Sequence, residues 1–151
     1  MKAKVITLAQ LQAKRACYGQ INLFTKVFGT EVKVTKANAV KAAKAGFDIG
    51  WASENLLTPT AYEAYKAVKK SAYEAYKAVK KSAYEAYVAD TKFAWEAYVV
   101  AIRHVVTMRP AYEAYVADTK SAWEAYKAVE KPASKAYDAA CWLAFYKAYN
   151  N

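Results

Sequence analysis

The chain has 151 residues, enough for one domain with a buried core, and 56% of them are hydrophobic. Much of that apolar content is Ala and Tyr, with only four Gly and three Pro, which argues against a loop-rich fold and favours helix. The formal charge of +10 suits an anionic partner, but only Arg15, Arg103 and Arg109 are arginines, and Lys reads bases and phosphates as a point charge, so nucleic-acid binding through it would be weakly sequence-specific.

In chain order, Val5 to Leu8 is too short an apolar stretch for a signal peptide. A first helix is predicted to start after Thr7 and run to about Phe28 on an imperfect stripe of Leu8, Leu11, Ala16, Ile21, Leu23, Phe24, Val27 and Phe28, stopped by Gly29. Thr30 to Thr35 alternates polar and apolar residues and has no convincing partner strand. It reads as an extended connector, or as an edge that pairs between subunits. Thr35 is placed to cap a helix over Lys36–Ala45 that Gly46 closes, and Asp48 to cap a short one over Ile49–Leu57. Thr58-Pro59 opens the next.

From Ala61 an eleven-residue repeat takes over, Ala-Tyr-Glu-Ala-Tyr-Lys-Ala-Val-Lys-Lys-Ser, recurring from Ala72, Ala83, Ala94, Ala111, Ala122 and, degenerately, Ala133. Eleven residues make about three helical turns, so each copy returns its side chains to one face. Serine-led capping boxes at Ser71, Ser82 and Ser121 would permit a break at each repeat, but no turn residue precedes them, and continuous helix to about Val106 is expected. The register is broken between Val105 and Pro110, and Pro110 opens a second arm in which Pro132 is expected to kink or break the helix. Ala83–Lys92 and Ala111–Lys120 are identical, which points to a duplicated unit. The arms are expected to fold back as an antiparallel hairpin, or else to pair between chains. The sequence thus predicts a mostly α protein with a small basic helical N-terminal module (1–58) and a long antiparallel hairpin of repeats (59–151) broken near 107–110.

Within the repeat, Ala64, Tyr65, Val68, Ala75, Tyr76, Val79, Ala86 and Tyr87 are predicted to form the interaction seam, a narrow Ala/Val strip flanked by Tyr. Glu63–Lys66, Glu74–Lys77 and Glu124–Lys127 are spaced as surface ion pairs. Lys33, Lys36, Lys41 and Lys44 in the module, and Lys69, Lys70, Lys80 and Lys81 in the repeats, are the candidate anion-binding residues. The Tyr/Trp series could stack single-stranded bases beside these lysines. Its strict spacing and the Ala between rings are better explained by rings covering a helix seam. Ala42, Gly46, Phe47 and Asp48 follow a helix-turn-helix pattern, from which Lys41 and Asn55 depart by standing where apolar residues are usual.

Nothing in the sequence specifies catalysis. His104 is the only histidine and reads as a surface or packing residue; there is no nucleophile elbow and no Gly-rich phosphate loop. Cys17 and Cys141 read as buried small hydrophobes, and no metal or cofactor site is expected. The longest apolar run, Tyr98 to Ile102, is far short of the roughly twenty residues that cross a bilayer, so the expected setting is cytoplasmic, without a membrane.

Ala16-Cys17, Ile21, Phe24, Phe28-Gly29, Val32, Val34-Thr35, Asn38-Ala39, Ala42-Ala43, Gly46 and Trp51-Ala52 with Leu56-Leu57 together resemble a short N-terminal module of tailed-phage and bacterial proteins. In those the module is followed by tandem Ala-(Tyr/Trp)-x-x-Tyr repeats, often separated by Pro. Pro110 and Pro132 match that habit, and Ser71 and Ser82 depart from it. The resemblance carries no assigned activity. It implies a phage accessory protein, acting in the host cytoplasm, that self-associates or binds a host protein, with a basic nucleic-acid-binding role of low specificity as the alternative.

Overall fold

The structure, a computed structural model, describes residues 4–104 and 108–151. Its described elements are β1 (Val5–Thr7), α1 (Leu8–Ala13), α2 (Tyr18–Phe28), β2 (Glu31–Lys33), α3 (Lys36–Ala45), α4 (Ile49–Leu56), α5 (Pro59–Arg103) and α6 (Met108–Asn150). The chain is mostly α, a small helical N-terminal module followed by a long helical hairpin whose arms run antiparallel in each of two compact units. One unit holds the chain through Tyr73 together with Ala136–Asn151; the other is Glu74–Lys135.

The first unit carries the core. The predicted single helix over 8–28 is two helices. Leu8 and Leu11 belong to α1, and Ile21, Phe24 and Phe28 form a separate i, i+3, i+7 stripe on α2. Between them Arg15 takes a left-handed backbone (φ 59°), Ala16 is buried, and Cys17 stands at the start of α2. That turn brings both stripes onto one core, which a continuous helix would point in different directions. Thr7 caps α1 in a reciprocal capping box with Gln10.

The extended segment has a partner within the chain. β2 pairs antiparallel with β1, with Val5 opposite Lys33, Ile6 opposite Val32 and Thr7 opposite Glu31. Neither the connector nor the intersubunit edge describes it. β1 escapes notice because it is only three residues long and runs directly into α1. The end of α6 secures this sheet. Asn150 accepts from the Lys4 amide (3.0 Å) and donates to the Val34 carbonyl (2.9 Å), while the Tyr149 hydroxyl donates to the Val5 carbonyl (3.2 Å). Phe24, Phe28 and Phe47 pack ring on ring, and Trp142 and Phe145 of α6 join the same core.

The remaining caps are where the sequence puts them. The Thr35 hydroxyl accepts from the Asn38 amide, Gly46 ends α3 in the left-handed conformation, and Asp48 accepts from the Trp51 amide at 2.9 Å. α5 starts at Pro59 and continues unbroken past Ser71 and Ser82 to Arg103. Val105, Val106 and Thr107, where the sequence places part of the break, lie outside the described residues. Met108, Arg109 and Pro110 already form the first turn of α6. Pro132 does not end the second arm: α6 runs through it to Asn150. A proline removes one backbone bond, and the packed turns on either side hold the helix across the gap.

In the second unit, α5 and α6 pack through rings. Trp95 meets Tyr115 (5.8 Å) and Tyr87 meets Trp123 (5.7 Å), both edge-on; Tyr98 meets Tyr112 (6.4 Å) and Tyr84 meets Tyr126 (6.3 Å), also edge-on. In each couple the two contacts exchange equivalent positions of the duplicated segments that begin at Ala83 and Ala111. The duplicate therefore packs against its own copy about a local two-fold axis.

Candidate functional site

Two surfaces of the repeats concentrate the residues that could carry function. The first is the ring-lined seam. Its inner face is set by the first Ala and the second Tyr of each repeat: Ala94, Ala111 and Ala122 are buried, and Tyr65, Tyr76 and Tyr87 turn inward. Of the predicted seam residues, Ala64, Val68, Ala75, Val79 and Ala86 are exposed instead. The seam is thus rotated by roughly a sixth of a turn from the Ala/Val strip. The physical reason is size. A Tyr ring covers far more apolar area than an Ala or Val side chain, so burying the Tyr at the edge of the strip outweighs burying the centre of the strip. Val68, Val79 and Val129 are left facing outward.

The second surface is a concave patch of about 520 Å³ in the first unit. Tyr62, Lys66, Lys69 and Tyr73 line it from α5 at i, i+4, i+7 and i+11, a single helical strip. Tyr65 forms part of its wall, Lys70 flanks it, and Tyr137 closes it from α6. The Lys66 ammonium lies over the Tyr62 ring (5.1 Å) and that of Lys69 over Tyr65 (5.9 Å). Lys66 is also paired with Glu63 at 2.8 Å, and this hydrogen bond raises its pKa. Among the described residues, neither Lys69 nor Lys70 has a carboxylate within ion-pair distance.

Behind this wall lies a buried polar cluster. Tyr65, Ser53 and Cys141 are almost fully buried together. Ser53 donates to the Gly50 carbonyl (2.8 Å), while the Tyr65 hydroxyl has no partner in hydrogen-bond geometry although Ser53 and Cys141 lie beside it. Burial, followed by the Cys141 thiol, pushes Tyr65 up to about 12, and burial with the Cys141 contact does the same for Tyr137. Cys141 is raised as well, chiefly by desolvation, with Lys69 pulling the other way. Both phenols are therefore neutral donors across the physiological range. The sequence places Tyr65 on the inner face but not Ser53, Tyr137 and Cys141 as its neighbours, because they belong to α4 and α6, which are separate in sequence from this turn of α5.

The other candidate lysines stand apart. Lys41 donates to the Val27 carbonyl (3.0 Å) and lies over the Phe28 ring (5.1 Å), which ties it to the end of α2. Lys33, Lys36 and Lys44 are exposed. Lys80 lies over Tyr76, whose hydroxyl donates to Glu130 at 3.0 Å, and Lys81 approaches Glu85 at 3.8 Å. Lys127 lies over Trp123, and Glu124–Lys127 and Glu74–Lys77 do not close as ion pairs. α3 and α4 follow one another across a short turn with Gly46 left-handed, and Ala42 and Phe47 belong to one core. Yet α4, the helix that would enter a groove, has no Lys or Arg, and its one exposed charge is Glu54. The cations of this element, Lys36, Lys41 and Lys44, all stand on α3.

Cys17, expected to be buried, is exposed at the start of α2; Cys141 is buried and both thiols are free. His104 is exposed at the end of α5. Among the described residues, no three His, Cys, Asp or Glu side chains come together as a metal site, and no helix is long and apolar enough to cross a membrane. No protein-family model, curated protein or solved structure matches the chain.

Proposed function

We propose that this is a non-enzymatic helical assembly protein that self-associates. One observation carries the reading. The duplicated segments starting at Ala83 and Ala111 recognise one another through two-fold-related ring contacts. A segment complementary to its own copy within a chain is complementary to the same segment in a second chain, which is the condition for two copies to exchange arms. The outward Val68, Val79 and Val129 supply further apolar surface on the same helices. The resemblance to phage and bacterial repeat proteins supports an accessory role in the cytoplasm, that of the host for a phage-borne gene, with a host protein as the other kind of partner.

The test is solution mass by light scattering from micromolar to submillimolar concentration. Mass should rise from 16.8 kDa toward twice that value, and Val68→Lys with Val79→Lys, which charges apolar surface exposed in the single chain, should shift the rise to higher concentration. A constant monomer mass over that range would overturn self-association. The alternative, a basic nucleic-acid binder of low specificity, draws on the net charge of +10. It requires affinity that falls steeply with salt as phosphate contacts release counterions.

A further inference from the structure

The Lys/Tyr hollow has a composition that helix pairing does not require. A seam needs rings, and solubility needs charge somewhere, but neither calls for three ammoniums and four phenol rings around one concavity. Among the described residues, no carboxylate lines the hollow. Glu63 is turned to Lys66, and Asp138 sits on α6 next to Tyr137. Lys69 and Lys70 are left as the cations that no described side chain neutralises. The volume, about 520 Å³, is that of a small-molecule site.

We propose that this hollow binds a nucleoside phosphate, its phosphates held by Lys69 and Lys70 and its base laid against Tyr73 at the rim. Tyr73 is suited to this because it is 47% exposed while Tyr137 braces it edge-on at 6.0 Å. Stacking on an aromatic ring accepts any base, and lysine ammoniums accept any phosphate, so the site selects the combination of flat ring and anion rather than a particular base. An acidic peptide would use the ammoniums and leave the ring wall idle. The same chemistry is offered by a free nucleotide and by the end of a single strand. The inference stands apart from self-association and does not depend on it.

The experiment is calorimetric titration of the full chain at low salt with ATP, tripolyphosphate, adenosine and a short oligothymidylate. Lys69→Glu/Lys70→Glu should abolish binding, while Lys14→Glu/Lys120→Glu, the same charge change at exposed lysines elsewhere, should leave it within about twofold. Tyr73→Ala should weaken ATP about tenfold and leave tripolyphosphate unchanged. Backbone amide shifts of the unaltered protein should change from Tyr62 to Tyr73 and at Tyr137, which keeps the proposal testable if the double lysine variant does not fold. Tighter binding of the oligonucleotide than of ATP identifies a strand end as the natural ligand, and the reverse identifies a free nucleotide. Three results would each overturn the proposal: equal losses in the two lysine pairs, tripolyphosphate binding as well as ATP with no effect of Tyr73→Ala, or no binding of any nucleotide.

Discussion

Tyr65 shows how one side chain both builds the fold and carries an unresolved cost. It is 2% exposed, so the ring contributes the stabilisation of a fully buried aromatic. Its hydroxyl went into the core without a hydrogen-bond partner, and a buried polar group left so costs about 1–3 kcal/mol. Tyr65→Phe should therefore leave stability at neutral pH unchanged or raise it by up to about 1 kcal/mol. A loss larger than that in chemical denaturation would show that the hydroxyl is satisfied. The same residue sets an alkaline limit. Its pKa is raised by burial from 10.0 to about 12, so the folded protein holds the phenolic proton more tightly than the unfolded chain does. That contribution is intact below pH 10 and is lost as pH rises through about 12. A pH titration of unfolding should find the alkaline transition displaced upward in Tyr65→Phe, with Tyr137 still titrating in the same range.

At the scale of the element, the helices of the repeat region were legible, and their inner face only in part: Tyr65, Tyr76 and Tyr87 lie on it, whereas Ala64, Val68, Ala75, Val79 and Ala86 do not. Period, continuity past the serines and the start at Pro59 follow from local chemistry: no residue between Pro59 and Arg103 breaks a helix. The orientation of the helix about its axis depends on what the opposite arm presents, and that arm is distant in sequence. The difference is measurable. Ala94 and Ala122 are buried between the arms, so Ala94→Leu or Ala122→Leu should overpack the seam and cost about 1–3 kcal/mol. Ala86→Leu, on the exposed face, should change the melting temperature little. Equal effects at Ala86 and Ala94 would refute the rotated seam. The same logic explains the divided first helix. Each half of its apolar stripe has helical spacing, but only the shared core shows that the two halves cannot lie on one straight axis.

Across the whole molecule, the module that the sequence closes at residue 58 is completed from the other end of the chain. Trp142 and Phe145 lie in its core, and Asn150 bonds Lys4 and Val34, the residues that flank the two strands of the sheet. Removing residues 136–151 should therefore unfold the first unit, read as loss of the near-ultraviolet signal of Trp51 with helix retained elsewhere; a module that kept cooperative unfolding without them would contradict this core. The sequence by itself determined the helical class, the caps at Thr35, Asp48 and Gly46, and the repeat with its duplicated decapeptide. These are properties of neighbouring residues, and backbone sterics and short-range hydrogen bonds act over a few positions. Only the tertiary structure decided that β1 pairs with β2, that Tyr rather than Val fills the seam, that Lys69 and Lys70 border a ring-lined hollow, and that the last turns of α6 close the N-terminal core. Each of these depends on residues far apart in the chain, where the choice falls to whichever arrangement buries the most apolar area and leaves the fewest polar groups unmatched.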